Sequence, residues 1–452
     1  MSYLVIPQGV SSTSATVWLG GVNESLDQAQ LTLQPGGSYQ PFRSVRNQWR
    51  SENGQYTLDY RRDILTNLEP RKTYAVELRT ANGFQADAEF TTLPDHLPNL
   101  DEKPFTLLLA SCFCANKDQA GRLGNTYFNL PHDEQPDVKI WCGDQVYLDA
   151  PWYHYMAHTH SRAELEVRHF ENYLSVWSQT GTAEGFNYAL KRGANYFTSD
   201  DHEFWNNAPN WTTLIRDSWT QDGRDQWWSV ARSLFEAFQS PSSVLRFTIG
   251  KLSFFIADSR VNRDADLHNF LSPADMQQFS DWVANLQGPG VFSLGQPIFA
   301  TQASGFQKLT RRFSDWNLPD YDQFQELARV LAAARHSMVM LTGDVHYGRV
   351  ARTTLPSGLD LIEIISSPTA LVDDTVGGKW HGPPDRYPSF DVPGVAHGPV
   401  TTLKEYTLVD NHFLTIQFSQ TGMQVKMSVK AWPVTNPGEK ASPRLVYEWL
   451  IQ

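Results

Sequence analysis

Four short, almost continuously apolar segments restrict the fold of this sequence more than any other feature, because each leads into a side chain of a metal-binding type. The segments cover 105–110, 138–142, 196–198 and 337–342, and they lead into Cys112, Asp144, Asp201 and Asp344. An apolar run without alternation predicts a strand buried on both faces, as in an α/β sheet. Ligands collect beyond the carboxyl ends of such strands, so we expect the four ends to converge on one metal site.

Two different anionic ligand types follow the second segment, in the sequence Gly143-Asp144-Gln-Val-Tyr147. A glycine and a carboxylate directly after a buried strand predict a rigid turn, from which Asp144 can bridge two cations. Tyr147 can turn back toward the same point, and a phenolate favours a hard trivalent cation such as Fe(III). The thiolate of Cys112 is a further expected ligand, because metal coordination deprotonates a thiol.

The third and fourth segments end in Asp200-Asp-His-Glu203 and Gly343-Asp-Val-His346. His346 offers a neutral imidazole, while Asp201 and Asp344 offer oxygen ligands that suit a second, harder ion such as Ca²⁺ or Mg²⁺. We expect His202 to face the substrate and to protonate a leaving oxygen. Taken alone, the stretch 201–203 would more often be a solvated loop or a helix cap, and only the other motifs favour its ligand role.

Length and charge restrict the class of protein. A chain of 452 residues has material for two or three domains, and its formal net charge of −12 argues against a strong nucleic-acid footprint. No apolar stretch is long enough for a transmembrane segment, and residues 1–7 lack the features of a signal peptide. We therefore expect a cytoplasmic protein, or an extracytoplasmic one if a leader was removed. The sequence makes no prediction of the oligomeric state.

The pattern of elements predicts two parts. Residues 1–97 carry five strand-like runs separated by turn clusters, which predict an antiparallel sandwich, and the stretch 68–94 resembles half of a fibronectin type III module. A polar linker with three prolines covers 94–104 and marks the boundary, so the second domain covers 98–452. Further expected elements are helices at 161–178, 225–239, 273–287 and 320–336, strands at 252–258 and 359–365, an antiparallel tail from 412, and a solvated turn at Asp373 and Asp374.

Cysteine and tryptophan have simpler explanations at most positions. Three cysteines do not form a disulfide framework in a chain of this size, and Cys114 and Cys142 are expected to be small buried hydrophobes. Many of the 15 tryptophans lie between residues 141 and 228, where core packing is the default explanation. Some of them are expected to line the mouth of the site.

The four motifs, in this order, resemble those of the PhoD-like (alkaline phosphatase D) family of calcineurin-like metallophosphoesterases. The resemblance extends over about 105–400. It implies a metallophosphoesterase-like α/β (α+β) fold, a four-layer β-sandwich flanked by helices, preceded by an all-β immunoglobulin or fibronectin III-like domain. The metal site would lie between the sheets.

The resemblance also implies roles for individual residues. Fe(III) would be held by Cys112, Asp144, Tyr147 and His346, and Ca²⁺ or another divalent ion such as Mg²⁺, Mn²⁺ or Zn²⁺ by Asp144, Asp201 and Asp344. His202 would be the acid. Asp258-Ser-Arg260 resembles the family's Asp-x-Arg segment, so Arg260 would hold phosphate, unless it simply pairs with Asp258. Asn206 and Asn207 also match family positions.

The function implied is metal-dependent hydrolysis of phosphate monoesters or diesters by metal-activated water, on a small-molecule or polymeric substrate. A phospholipase D-like phosphodiesterase is an alternative within the same chemistry. A non-catalytic, metal-stabilised binding protein is an alternative of a different class. The sequence contains no Gly-x-Ser-x-Gly, Walker A or His-Glu-x-x-His motif, which argues against the common serine hydrolases, NTPases and zincins.

Overall fold

The computed structural model describes residues 2–39, 41–119, 121–180, 185–303, 315–371, 381–403 and 408–452. The turn expected at Asp373 and Asp374 lies outside these residues. Within these ranges the fold is a mixed α/β arrangement with far more strand than helix. None of the helices in these ranges combines the length and the apolar character needed to cross a membrane.

Eight strands form the N-terminal part: β1 (Tyr3–Val10), β2 (Ala15–Val22), β3 (Gln30–Gln34), β4 (Gly37–Tyr39), β5 (Arg43–Arg50), β6 (Thr57–Leu65), β7 (Thr73–Thr80) and β8 (Gly83–Thr91). They build two four-stranded antiparallel sheets with the orders β1-β2-β6-β5 and β4-β3-β7-β8. All five predicted strands are present. The sequence did not predict β1, β4 or β5, and β5 carries no signal because its residues are almost all exposed and show no apolar alternation.

Fifteen strands follow: β9 (Phe105–Ala110), β10 (Val138–Cys142), β11 (Ala194–Thr198), β12 (Val244–Ile249), β13 (Leu252–Ala257), β14 (Gly290–Gly295), β15 (Met338–Thr342), β16 (Arg349–Thr354), β17 (Asp360–Ile365), β18 (Arg386–Tyr387), β19 (Gly398–Pro399), β20 (Thr401–Thr402), β21 (His412–Thr421), β22 (Gln424–Pro433) and β23 (Arg444–Ile451). The helices are α1 (Arg122–Phe128), α2 (Tyr153–Met156), α3 (Arg162–Trp177), α4 (Phe186–Lys191), α5 (Gln221–Phe238), α6 (Pro273–Ala284) and α7 (Phe324–Ala332).

Two large mixed sheets carry the strand ends that the sequence singled out. The first has the order β11-β10-β9-β21-β22-β23, with β9, β10 and β11 parallel and the C-terminal strands antiparallel. The second has the order β12-β13-β14-β15-β17-β16-β20, with the four strands from β13 to β17 parallel. The predicted antiparallel tail is therefore part of the first sheet, to which β21 is joined through β9.

The central strands are buried on both faces, as their continuous apolar composition predicts. Every residue of β9, β10, β11 and β15 is buried. Along β9, Leu107 and Leu109 share a core with residues of the second sheet, such as Val339. Leu108 belongs instead to a core with residues of α3, α4 and α5. Alternate side chains of one strand thus pack against a sheet on one face and helices on the other.

The predicted helices are all present, with changed ends. Ser161 caps α3 with its side chain, and Ser272 caps α6, which begins at Pro273 as predicted. Helix α5 begins four residues earlier than expected, because the Thr220 hydroxyl accepts a hydrogen bond from the backbone of Gly223. The region expected as a helix over 320–336 is shorter, since a 3-10 turn at Leu318–Asp320 precedes α7.

The N-terminal sandwich contacts the edge strand β11 of the first large sheet. The Tyr196 hydroxyl donates to the carbonyl of Val10 and accepts from its backbone N–H, each over 3.2 Å. The Asn195 amide also donates to the carbonyl of Pro7 over 2.8 Å. These buried bonds fix the strand that leads directly into Asp200 and Asp201.

Candidate metal centre

The strand ends that carry the candidate ligands lie side by side. The backbone N–H of Phe113 donates to the carbonyl of Asp144 over 2.7 Å, and that of Gly143 donates to Thr198 over 3.1 Å. A Cβ on Gly143 would lie 2.5 Å from the Cβ of Asp200, and one on Gly343 would lie 2.3 Å from Ser111. Only glycine permits these approaches: Gly143 brings two strand ends of the first sheet together, and Gly343 brings the end of β15 in the second sheet against that of β9 in the first.

The backbone at the site adopts the left-handed conformation, which residues other than glycine rarely take. Ten described non-glycine residues have positive φ angles, and five of them belong to the motifs: Cys112, Asp144, Asn207, Asp344 and His346. Their φ values lie between 55° and 70°. Such strain costs free energy and persists only where the surrounding structure imposes it, which is common at functional sites.

The first group of ligand-type atoms consists of Cys112, Asp144 and His346. One atom of each lies within 4.8 Å of the others. The Cys112 Sγ and the Tyr147 hydroxyl each lie 3.5 Å from Oδ2 of Asp144. The structure thus brings together all four residues that the sequence predicts for the iron, from three separate chain segments.

A second group shares Asp144 with the first. It consists of Asp144, Asp201 and His202, again with ligand-type atoms within 4.8 Å of one another. Asp144 therefore lies between two donor groups, the position expected of a bridging carboxylate. Asp201 also accepts a 2.7 Å bond from the backbone of Asn207.

The third group, Asp200, Asp315 and Asp344, includes two residues that the sequence analysis missed. Asp344 lies here, where the Gln296 amide donates to its Oδ2 over 3.0 Å. Asp200 immediately precedes Asp201, and adjacent residues at a strand end point in different directions, so the motif alone did not show that both would contribute. Asp315 carries no local signal, because nothing around it in sequence marks a strand end.

Arg260 lies in the third group and is fully buried. Its guanidinium pairs with Asp200 and Asp315, and it donates to the carbonyl of Ala208 over 2.6 Å. The simple alternative, an ion pair with Asp258, is not what the structure contains. Asp258 instead accepts from the Ser199 hydroxyl and from the backbone N–H of Arg260. The predicted contact of Arg260 with phosphate stays a prediction.

Asp149 orients His202, and the sequence analysis missed it. Its Oδ1 lies 2.7 Å from Nδ1 of His202, and its Oδ2 accepts a 2.8 Å bond from the backbone of Asn206. A buried carboxylate at Nδ1 fixes the ring orientation and leaves Nε2 for another partner. The sequence feature that could have indicated Asp149 was its position five residues after Asp144, close to the predicted site.

Glu203 holds the turn that carries Asp144. Its carboxylate accepts backbone bonds of 2.7–2.8 Å from Asp144, Gln145 and Asp200. Burial raises the pKa of Glu203 to about 7, although these N–H groups lower it. The motif Asp200–Glu203 thus supplies two candidate ligands, a candidate acid and a support for Asp144.

The anionic groups of the site crowd one another in a buried space. Burial, followed by Asp144 and Asp344, raises the pKa of the Cys112 thiol well above its usual range. Burial also raises the pKa of Tyr147, Asp144 and Asp344 well above their usual ranges, and neighbouring anions add to it. So many buried donors can be anionic together only if cations balance their charge, so the donor set fits metal ions.

The two histidines of the site have opposite electrostatic surroundings. Burial lowers the pKa of His202, but the carboxylates of Asp149, Asp201 and Asp144 outweigh it and hold the pKa well above its usual range. Burial, with the nearby His202, lowers the pKa of His346 to about 4. His202 is therefore suited to carry a proton, and His346 is suited to act as a neutral ligand.

Comparison with known proteins identifies the fold. No family model and no curated protein matches this sequence. A solved structure described as "Structure of PhoD" matches with a TM-score of 0.65 and 17% sequence identity, over 99% of this chain and 89% of that chain. The chain has a PhoD-like fold. At this identity the likeness concerns the fold alone, so the roles of the residues depend on the geometry described above.

The PhoD-like fold extends over the whole chain, including the N-terminal sandwich, because the match covers nearly all of it. The PhoD-like, mixed α/β character expected from the four motifs is thereby confirmed, although the sequence identity is low. The candidate ligands lie at the carboxyl ends of parallel strands in both large sheets of this fold.

Proposed function

We propose that this protein is a metal-dependent phosphoric ester hydrolase. One observation carries the proposal: on a PhoD-like fold, two groups of buried ligand-type residues share the carboxylate of Asp144. A shared carboxylate between two donor groups is the arrangement that positions two cations close together, as in two-metal hydrolysis of phosphate esters.

Cys112, Asp144, Tyr147 and His346 would hold Fe(III), because they combine a phenolate, a thiolate, a carboxylate and an imidazole. Asp144 and Asp201 of the second group, with Asp344 from the third, would hold Ca²⁺ or another divalent ion. When bound, the metals would activate a water and neutralise the charge that develops on the phosphoryl group.

The protein's own residues supply proton transfer and positioning. His202 donates to the leaving oxygen from Nε2 while Asp149, the first of the carboxylates that raise its pKa, holds Nδ1. Glu203 keeps Asp144 in its turn. Arg260 would bind phosphate only if its pairing with Asp200 and Asp315 opened, so in the present geometry it is a positioning residue.

For the architecture, we propose a boundary near residue 97 between an immunoglobulin or fibronectin III-like domain and a metallophosphatase domain over 98–452. The two small antiparallel sheets support the first domain. The division of β9 side chains between a sheet-facing and a helix-facing core supports the four-layer arrangement of the second.

The test is hydrolysis of paired chromogenic phosphate monoesters and diesters by metal-loaded and chelated protein. We expect turnover that chelation abolishes and metal restores. Asp144→Asn should lose bound metal and nearly all activity, whereas Asp217→Asn, a change at a buried carboxylate outside the three groups, should keep its metal. Absence of turnover by fully metallated protein on both ester types would favour a metal-stabilised binding protein. The ratio of the two rates would decide between a monoesterase and a phosphodiesterase of the phospholipase D-like kind.

A further inference from the structure

Five large apolar side chains are exposed on two chain segments, around residues 152–156 and 211–219. They are Trp152, Tyr153, Met156, Trp211 and Trp219, each between 39% and 58% exposed, and we refer to them as the aromatic rim. The exposed tryptophans among the described residues all belong to this rim. Core packing, the default explanation for tryptophans, does not apply to side chains that face the solvent.

The two segments of the rim are joined by direct contacts. Arg216 donates to the carbonyl of Ala157 over 3.1 Å, which places the 3-10 helix at Arg216–Trp219 against the end of α2. The Trp219 indole donates to the carbonyl of Thr212 over 2.9 Å. The Arg216 guanidinium also lies 5.7 Å from the centre of the Trp219 ring. The rim is therefore one surface.

This surface is continuous with the candidate active site. Trp152 follows Asp149, which holds the imidazole of His202, by three residues. On the other segment, Asn207 donates to Asp201, and the carbonyl of Asn210, next to Trp211, accepts from the buried Trp205 indole over 2.7 Å. The rim is thus carried by the same chain segments that hold the candidate acid and Asp201.

The charge of the two segments is unusual for this chain. The chain has 49 acidic residues and a net charge of −12, but neither 150–163 nor 204–216 contains an aspartate or a glutamate. These stretches contain Arg162 and Arg216, with three histidines. These stretches carry four of the five rim residues, and a surface that is poor in carboxylates, in an acidic protein, is electrostatically complementary to an anionic partner.

We propose that the aromatic rim docks on a lipid surface that carries anionic headgroups. Tryptophan and tyrosine combine an apolar ring with a polar edge and are enriched where membranes meet water. The lipid interior takes up the apolar side chains, including Met156, for which the hydroxyl-rich surface of a sugar polymer offers little. Arg216 and the lack of carboxylates in 150–163 and 204–216 favour anionic headgroups. The docking does not depend on catalysis by the neighbouring site.

The test is sedimentation of the metal-loaded protein with vesicles of phosphatidylcholine, with or without phosphatidylglycerol. We expect binding to the anionic vesicles that weakens at high salt. The variant Trp152→Ala/Tyr153→Ala/Trp219→Ala should bind at least about tenfold more weakly, because three interfacial side chains are removed. The control Phe42→Ala/Phe84→Ala/Met423→Ala removes three apolar side chains elsewhere that are 53–97% exposed, and it should bind like the wild type.

The outcomes separate this proposal from that of hydrolysis. Equal binding by both triple variants would place the lipid contact elsewhere, and no binding by the wild type would overturn the docking. Equal binding to neutral and anionic vesicles would overturn the electrostatic part. Turnover of a soluble phosphate ester, measured on the same samples, tests hydrolysis alone and should be unchanged in the rim variant.

Discussion

At the residue scale, Asp149 and His202 form a pair whose geometry can be tested through the leaving group. We predict that His202→Ala lowers kcat by ~10²–10⁴ while metal content persists, the usual loss for a general acid. The defect should grow with the pKa of the leaving alcohol, since a good leaving group departs without a proton. A leaving-group series, together with metal analysis, makes the measurement.

Asp149→Asn should produce the same leaving-group trend, because it removes the carboxylate that accepts from Nδ1–H and stabilises the protonated imidazolium. Combined with His202→Ala, it should add little, since both changes remove one function. Loss of metal in His202→Ala would identify His202 as a ligand, and equal defects over the series would exclude the acid role.

Substitution of Tyr147 tests whether the ion held with Cys112, Asp144 and His346 is Fe(III). We predict that protein containing Fe(III) is coloured, because phenolate and thiolate donate electron density into an oxidised iron. Tyr147→Phe should weaken and shift the visible band, whereas Tyr155→Phe, at another buried tyrosine, should leave it unchanged. A colourless oxidised protein that contains iron would contradict ligation by Tyr147.

At the element scale, the turn after β10 requires a glycine, Gly143. Gly143 has a φ of 84°, and an added Cβ would meet Asp200 at 2.5 Å; Gly358 has a φ of 80° with nothing within 4 Å. Alanine at either position meets similar backbone strain, of about 1 kcal/mol or more. We predict that only Gly143→Ala loses metal and activity as well as stability. Metal analysis of both variants decides this, and equal metal loss would contradict it.

Helix α3 contains a buried histidine without a polar partner. His169 is fully buried, and among the described residues neither ring nitrogen has a hydrogen-bond partner. Burial, followed by His160 and Arg168, lowers the pKa of His169 to about 3. In the unfolded chain His169 takes up a proton below its ordinary pKa of about 6.5. In the folded chain it takes up that proton only when the pH is near 3. The contribution of neutral His169 to the free energy of unfolding is therefore complete above about pH 6.5 and is lost as the pH falls from there toward 3.

We predict that His169→Phe removes this loss. The free energy of unfolding of the wild type should fall by about 1.4 kcal/mol more per pH unit than that of the variant between pH ~6 and ~4. Urea unfolding at several pH values measures the difference. His132→Phe, at an exposed histidine, is the control. Parallel pH profiles for His169→Phe and the wild type would show that His169 is protonated without cost.

At the scale of the whole molecule, the metal centre joins the two large sheets. Cys112 and Asp144 follow strands of the first sheet, and Asp344 and His346 follow β15 of the second. We predict that chelation lowers Tm, because removing cations leaves buried anionic groups together and because ligands stabilise the state that binds them. Asp144→Asn should show a much smaller drop than the wild type. Thermal unfolding with and without chelator makes the comparison, and an unchanged wild-type Tm would contradict it.

The elements and the site were predictable to different degrees. The strands β9, β10, β11 and β15 were predictable because burial on both faces needs an apolar residue at every position. The exposed strand β5 was not, since nothing restricts residues that face water. Cys112, Asp144, His202 and Asp344 were predictable as candidates because they follow such strands directly.

Sequence by itself determined which strands would end in ligand-type residues, and hence the class of fold and the candidates for a metal site. Tertiary structure alone decided that Asp200 and Asp315 join Asp344, that Arg260 pairs with them rather than with Asp258, and that Asp149 supports His202. The physical reason is that a strand's burial is written in its own composition. The partner of a side chain beyond the strand end depends on which loops from distant parts of the chain meet there.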